Sequence, residues 1–190
     1  MEDKKRIVLA VTGASGLQYA IRTAEMLSEA GCEIFCCATE CAKKVAQTEL
    51  ETDLAQALLN AGATRVYSEN DFSAPMASGS FYFDAMAVVP CSMKTLGKIA
   101  NSIADNLAVR AAEVALKEQR RLVVVPRETP MSAAQIKNML ELSLAGAVVL
   151  PASPAFYNKP QSVDDMVGFV AARITASLGV RQNFLKEWGV

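Results

Sequence analysis

Histidine is absent from the 190 residues of this chain. Without it, the chain has no imidazole base for a catalytic triad, no histidine ligand for zinc and no imidazole general acid. Acid–base chemistry must then come from carboxylates, hydroxyl groups, lysine or the substrate itself. The absence of histidine therefore excludes reaction mechanisms that need an imidazole side chain.

The chain also lacks an excess of one charge and a long apolar run. It has 19 basic and 20 acidic residues and a formal net charge of -1, so it has no broad field for nucleic acid or an anionic membrane. No stretch approaches the roughly 18 apolar residues of a membrane span, and the apolar run after the charged start is too short for a signal peptide. We expect a cytoplasmic protein without nucleic-acid or membrane partners, which holds any phosphate in a local site.

Disulfide and metal frameworks are poorly supported as well. The chain has five cysteines, an odd number without a recognisable secretion signal, which favours reduced thiols. No two of them form a C-x-x-C pair, and no histidine could complete a cysteine cluster. Buried packing is therefore favoured over ligation, and no metal site is expected. The cysteines are Cys32, Cys36, Cys37, Cys41 and Cys91.

Short, continuous apolar runs alternate along the chain with helical stretches. Such runs are typical of parallel strands covered by helices on both faces. The alternation predicts an α/β fold: a Rossmann-like or flavodoxin-like doubly wound parallel sheet with helices on both faces. No linker or repeat interrupts it, so residues 1–190 are predicted to form a single domain. The predicted strands are 7–11, 34–38, 85–89, 122–125 and 147–150, and the predicted helices are about 17–30, 40–60, 92–117 (with a break suggested near Asn101), 132–144 and 163–178.

The segments after the predicted strands should contain the ligand site, because ligands bind at the carboxyl ends of the strands in such sheets. Gly13-Ala-Ser-Gly16 follows the first strand and opens a helix, whose free N–H groups suit an anion. It is G-x-x-G rather than G-x-G-x-x-G, so a dinucleotide is poorly supported. Ser92-Met-Lys-Thr95 and Thr39 also begin helices, and phosphate binding and simple N-capping explain them about equally well.

The segment Arg127-Glu-Thr-Pro130 favours a function more clearly. A charged pair directly follows the apolar strand 122–125, at the predicted ligand edge of the sheet. Arginine can bind a phosphate or a ring carbonyl, and the neighbouring carboxylate can move protons. We favour a functional role for Arg127 and Glu128 over a structural ion pair.

Taken together, these segments resemble the UbiX-type flavin prenyltransferases. The match runs in family order over nearly the whole chain, and the joint order is more specific than any single motif. The matching segments are Thr12-Gly-Ala-Ser-Gly16, Ser78-Gly-Ser-Phe81, Pro90-Cys-Ser-Met-Lys-Thr-Leu96, Asp105-Asn-Leu107, Arg110-Ala-Ala112, Leu116-Lys-Glu118, Arg127-Glu-Thr-Pro130, Asn138-Met-Leu140, Gly146-Ala147, Pro154-Ala-Phe-Tyr157 and Pro160-Gln-Ser162.

The resemblance implies that reduced FMN is bound as a substrate. A dimethylallyl group from dimethylallyl monophosphate would alkylate N5 and then close a ring at C6, without a metal. The product, prenylated FMN, would serve a UbiD-type decarboxylase, and the chain would form a homo-oligomer, a dodecamer in this family, with sites between subunits. The implied FMN-contacting residues are Gly13, Ala14, Ser15, Thr39, Ser92, Met93, Lys94, Thr95, Arg110 and Arg127; those implied for the prenyl phosphate are Lys117, Arg127, Tyr157 and Arg173.

The resemblance also implies a catalytic set of Ser15, Lys117, Glu128 and one further glutamate. A glutamate ten residues after Thr39 is Glu49, whereas the Glu-Thr-Asp context of some members selects Glu51. We favour Glu49, because helical spacing fixes the direction of a side chain. The chain departs from the family pattern at Thr39, which replaces a serine, and at Gln119, which interrupts a usual Lys-Glu-Arg-Arg run.

Three other readings stay open. A flavin-dependent cysteine decarboxylase of the related type uses a histidine base, which this chain lacks. A non-catalytic flavin carrier for a partner decarboxylase would leave Lys117, Arg127 and Glu128 idle. A redox flavoprotein would oxidise nicotinamide without a prenyl donor. The sequence does not distinguish a monophosphate donor from a diphosphate donor.

Overall fold

A computed structural model describes residues 4–185 of the chain. Six strands lie in one sheet, and every neighbouring pair is parallel. The strands are β1 (Arg6–Val11), β2 (Glu33–Ala38), β3 (Arg65–Ser68), β4 (Ala85–Cys91), β5 (Arg121–Pro126) and β6 (Val148–Val149). The predicted α/β sheet is therefore confirmed.

The strand order is β3-β2-β1-β4-β5-β6. Doubly wound sheets have two common strand orders, Rossmann and flavodoxin-like, and this one is the Rossmann order. The order reverses between β1 and β4, so the crevice for a ligand lies at the carboxyl ends of these two strands. Sequence reasoning missed β3. This edge strand has only four residues, of which only Tyr67 is buried, and so it lacks a continuous apolar run.

Helices connect the strands on both faces. They are α1 (Leu17–Glu29), α2 (Glu40–Glu49), α3 (Leu54–Asn60), α4 (Met93–Ala100), α5 (Leu107–Lys117), α6 (Ala133–Leu144) and α7 (Val163–Ser177). The single helix predicted over 40–60 is wrong, because Asp53 caps a new helix by accepting from the Gln56 N–H group. The break suggested near Asn101 is confirmed, and Asn106 caps α5.

The core has two layers, one on each face of the sheet. Alternate residues of β1 point to opposite faces: Ile7, Leu9 and Val11 pack in one layer, and Val8 and Ala10 in the other. Because both faces are buried, the strands are apolar throughout rather than alternating. Within residues 4–185, no helix is long and apolar enough to span a membrane.

Candidate flavin site

The crevice between β1 and β4 is organised by Thr12. Its side chain is fully buried; its hydroxyl donates to the Pro90 carbonyl at 2.8 Å and accepts from the Ser92 N–H group at 2.8 Å. One hydroxyl therefore fixes the end of β1 against the end of β4. Sequence reasoning quoted Thr12 in a motif but gave it no role, and a buried polar residue directly after an apolar strand is the signal that could have found it.

The loop that follows depends on two glycines. A side chain at Gly13 would clash with the Cβ atom of Cys41 on α2, so the absence of one lets α2 lie against the loop. Gly16, the N-cap residue of α1, has φ 99°, which favours glycine. The two glycines shape a tight turn at the start of α1, where the N–H groups of the first helical turn have no acceptor within the helix.

Glu49 fills this turn from the last residue of α2. Its carboxylate accepts from the Gly16 N–H group at 3.0 Å. Burial raises the pKa of Glu49, but hydrogen bonds from the Ser15 hydroxyl and from the N–H groups of Gly16 and Leu17, together with the charge of Arg127, outweigh it and lower that pKa below its ordinary value. Glu51 is exposed and lies in the turn beyond, with φ 51°. The structure thus brings Glu49, and not Glu51, to Ser15.

Arg127 reaches the same crevice from the end of β5. Its Nε atom is buried and has no hydrogen-bond partner among the described residues, an arrangement that costs free energy unless a ligand supplies an acceptor. Its charge acts on Glu49 and on Tyr19, whose pKa is raised by burial and lowered less by Arg127. Tyr19 was not among the predicted site residues, although it lies in the first turn of the helix after the glycine loop.

The hydroxyl residues at the other helix starts serve as caps. Thr39 accepts from the Ala42 N–H group at 3.1 Å, and Ser92 accepts from the Thr95 N–H group at 3.3 Å. The Ser92 and Thr95 hydroxyls are also hydrogen-bonded to each other at 3.0 Å. The capping interpretation therefore holds for both positions.

Three further residues predicted to contact FMN, in the loops after β1 and β4, differ in their exposure. Lys94 is exposed, whereas Met93 is buried in the core layer next to α4. The Met93 side chain therefore packs, and only its backbone N–H group at the helix start is available to an anion. Ala14 is nearly buried, and its N–H group already bonds the Thr12 carbonyl at 2.8 Å.

Glu128 and Arg127 diverge, although they are neighbours in sequence. Glu128 is exposed and accepts from the Thr129 N–H group at 3.1 Å, while Arg127 points into the crevice. No ion pair joins the two side chains among the described residues. The structural ion-pair alternative therefore finds no support.

Tyr157 and Arg173 lie on one side of α7. The ring of Tyr157 makes an edge-to-face contact with Phe169, with centroids 6.1 Å apart. Arg173 is exposed and lies one turn beyond Phe169 on the same face of the helix. Both residues are accessible to a ligand or to a second copy of the chain.

Arg110 and Lys117 lie in the first turn and at the last residue of α5, and each contacts nearby groups. Arg110 donates to the Ala77 carbonyl at 3.0 Å and lies 3.6 Å from Glu113. Lys117 pairs with Glu118 at the end of α5, and a Cβ atom on Gly79 would lie 2.9 Å from its Nζ atom. Spacing in the sequence could not reveal this, because it does not say which end of the sheet a helix residue reaches.

Two cavities of the described residues lie away from the crevice. One, of about 270 Å³, lies between α1 and residues 181–184, and the other, of about 770 Å³, lies beside Lys5 and Cys32. Neither includes a residue of the loops that follow β1, β4 or β5. No group of three or more cysteine, aspartate and glutamate residues that could hold a metal ion is found within residues 4–185.

A family model described as flavoprotein matches residues 1–175. The chain therefore belongs to the flavoprotein family. A flavin prenyltransferase UbiX of Thermoplasma acidophilum is 50% identical over 183 residues, which cover 96% of this chain and 99% of the relative. At this identity and coverage, the chain belongs to the UbiX-type branch.

Solved structures agree with this assignment. AnUbiX (PadA1), solved with FMN and dimethylallyl pyrophosphate, superposes with a TM-score of 0.94 and 38% identity over 99% of each chain. A dodecameric FMN-dependent UbiX-like decarboxylase from Escherichia coli O157:H7 superposes with a TM-score of 0.89 and 39% identity, over 93% of this chain and 96% of that one. The fold described above is shared over nearly the whole chain.

Proposed function

We propose that this chain is a flavin prenyltransferase that binds reduced FMN as a substrate. A bond forms between the allylic carbon of dimethylallyl monophosphate and N5 of the flavin, while the carbon–oxygen bond to phosphate breaks and the N5 proton is lost to the departing phosphate. A second bond to C6 then closes a fourth ring, with one proton taken up by the alkene and one released from C6. The products are prenylated FMN and phosphate.

The observation that carries this proposal is the cluster of Ser15, Glu49 and Arg127 at the strand-order reversal. The cluster joins a hydroxyl, an ionised carboxylate and an arginine whose Nε atom is buried without a partner among the described residues. A flavin suits this set, because its ring carbonyls and phosphate can accept from Arg127 and from the N–H groups of the loop. Ser15, held by Glu49, can donate or accept a proton at the flavin edge.

Positively charged side chains around the donor phosphate would assist its departure from the allylic carbon. An allylic phosphate ionises more easily when its leaving group is held by positive charges. We assign this role to Lys117, Arg127 and Arg173, with the hydroxyl of Tyr157, so that no metal is needed. Glu128, which is exposed beside the crevice, is assigned to proton movement after the first bond forms.

Self-association is part of the proposal. Lys117, at the end of α5, lies near the amino ends of the strands rather than near the crevice, so a neighbouring copy is needed to bring it to the donor. The E. coli relative is dodecameric, and we propose a homo-oligomer of the same kind, built from residues 1–190 as one domain. Five free cysteines accord with a reducing, cytoplasmic location, and a UbiD-type decarboxylase is the proposed recipient of the product.

Two competing functions, a cysteine decarboxylase and a non-catalytic flavin carrier, fit the residues of the chain less well. A cysteine decarboxylase with a histidine base has no such residue here. A flavin carrier needs no carboxylate held in its ionised form next to a hydroxyl, yet Glu49 is so held. Both remain distinguishable by their products.

The test is incubation of the full chain with reduced FMN and dimethylallyl monophosphate under anaerobic conditions. We expect a flavin heavier by one C₅H₈ unit and with an altered absorbance spectrum. Parallel reactions contain dimethylallyl diphosphate, no donor, or the Ser15→Ala variant, which should give little product. Unchanged flavin with every donor would refute the proposal; release of carbon dioxide from a cysteine peptide, or oxidation of nicotinamide, would identify a competitor.

A further inference from the structure

Three threonines are fully buried within residues 4–185: Thr12, Thr23 and Thr175. The hydroxyls of Thr23 and Thr175 donate to carbonyls four residues earlier in their own helices, those of Tyr19 and Ala171. A bond of this kind satisfies the hydroxyl within one helix and connects no second element. Thr12 differs from both, because its hydroxyl joins the ends of two strands.

The bonds made by Thr12 lie where the regular pairing between β1 and β4 has stopped. The last in-register pair of these strands is Ala10 with Val88, and Pro90, two residues further along β4, has no N–H group to donate. The Thr12 hydroxyl donates to the Pro90 carbonyl and accepts from the Ser92 N–H group, at 2.8 Å each. The Thr12 N–H group adds a longer bond of 3.3 Å to the same carbonyl. A side chain thus extends the connection between the strands beyond the backbone ladder.

The segments on either side of this connection are those that we assign to FMN. Residues 13–15 follow Thr12 directly, and the Ala14 N–H group donates to the Thr12 carbonyl at 2.8 Å. On the other side, Ser92 is the N-cap residue of α4, so a fixed Ser92 N–H group fixes the start of that helix. The Thr12 hydroxyl therefore sets the distance between the glycine loop and the start of α4.

Burial keeps the Thr12 hydroxyl from touching a ligand. The residue has no exposed surface, and its hydroxyl already donates its one proton and accepts one N–H group. Loss of this hydroxyl would leave the Ser92 N–H group without its acceptor, and the start of α4 could then shift relative to the glycine loop. Any effect on a ligand is therefore indirect and acts through the spacing of the two segments.

We propose that Thr12 is a positioning residue for the flavin: its hydroxyl holds the glycine loop and the start of α4 at the spacing that FMN requires. The inference rests on the flavin site proposed above and adds a residue that neither touches FMN nor moves a proton. Spacing governs the affinity for reduced FMN, whereas Ser15 and Glu49 act once FMN is bound. The KM for reduced FMN should therefore depend on the hydroxyl, whereas kcat and the KM for the donor should not.

The test compares two pairs of full-length proteins by fluorescence titration with FMN and by anaerobic turnover. Thr12→Val keeps the shape of the wild-type side chain and lacks the hydroxyl, while Thr12→Ala and Thr12→Ser both lack the methyl group and differ in the hydroxyl. Thr175→Val is the matched control, because it removes an equally buried hydroxyl that bonds within one helix. We expect Thr12→Val and Thr12→Ala to bind FMN roughly 10-fold more weakly, the loss expected when a buried N–H group loses its acceptor. Thr12→Ser and Thr175→Val should bind FMN as the wild-type chain does.

The outcomes separate a positioning role from a structural one. Wild-type FMN affinity in Thr12→Val would overturn the proposal, and so would equal losses in Thr12→Ala and Thr12→Ser, which would assign the effect to the methyl group. Circular dichroism reports folding: if Thr12→Val does not fold, the comparison of Thr12→Ala with Thr12→Ser decides, and failure of both hydroxyl-free variants to fold would make Thr12 structural and overturn the positioning role. A wild-type chain that binds FMN without prenylating it would overturn the proposed function alone, because the FMN affinities still test Thr12.

Discussion

Replacement of Glu49 by glutamine tests the centre of the candidate site. The carboxylate holds the Ser15 hydroxyl and the N–H groups of Gly16 and Leu17, and glutamine keeps the shape while removing the charge. A hydrogen bond to a charged group contributes about 1.5–3 kcal/mol. Because Glu49 is partly exposed, we expect Glu49→Gln to lose about 1–2 kcal/mol, which corresponds to roughly 2–8 °C in Tm for a domain of this size.

The same variant has a defined pH dependence. The pKa of Glu49 is lowered from its ordinary value of 4.5 by its partners in the folded chain. Such a group stabilises the fold fully above the ordinary pKa, and this contribution disappears as the pH falls through the lowered value. The wild-type chain should therefore exceed Glu49→Gln in stability at about pH 7, and the difference should disappear as the pH falls through the lowered pKa of Glu49.

The assay is thermal unfolding at equal protein concentration, since self-association would otherwise shift Tm. Glu51→Gln is the matched control, because Glu51 is exposed in the turn two residues on; it should change Tm little throughout this pH range. Prenylation should slow in Glu49→Gln and stay near the wild-type rate in Glu51→Gln. Equal effects of the two substitutions on Tm and rate would refute the placement of Glu49 in the site.

Three further substitutions separate the roles of the other residues. Arg127→Ala should weaken flavin retention during gel filtration, because it removes the donor at the crevice; unchanged FMN per chain would count against the assignment. Glu128→Gln should still bind flavin but accumulate an incompletely cyclised adduct by mass spectrometry, and normal conversion to the four-ring product would exclude its role in proton movement. Arg173→Ala should raise the KM for the donor, because it removes one charge-assisted hydrogen bond that contributes about 1.5–3 kcal/mol to donor binding. The affinity for FMN should stay nearly unchanged; loss of FMN would show that the assignment of Arg173 to the donor phosphate is wrong.

The fold was largely readable from the sequence because buried parallel strands are apolar on both faces. β1, β2, β4 and β5 each contain a continuous apolar run, and each was predicted to within a few residues. β3 was missed because an edge strand buries little. The break between α2 and α3 was missed although Asp53 is a strong N-cap residue, since apolar periodicity continues across it.

The site was only partly readable. The order of strands and loops was enough to place Ser15, Ser92 and Arg127 at the same edge of the sheet. The contact between Glu49 and the Gly16 N–H group depends on how α2 packs against the glycine loop. Periodicity within α2 gives the direction of a side chain but not the position of the neighbouring loop, and so the choice between Glu49 and Glu51 needed three-dimensional coordinates.

Lys117 shows why a role carried over by motif does not fix a geometry. Arg120, one turn beyond it, donates to the carbonyls of Gly79 and Phe81 at 2.7 Å each, and the Phe81 ring lies 5.5 Å from the guanidinium of Arg6 at the start of β1. Lys117 is thus near the amino ends of the strands, while Ser15 follows their carboxyl ends. A six-residue strand spans roughly 20 Å, which is beyond the reach of a lysine side chain. If Lys117 acts on the donor phosphate, as proposed, it acts from another copy, and donor binding then depends on assembly whereas the Glu49–Ser15 contact does not.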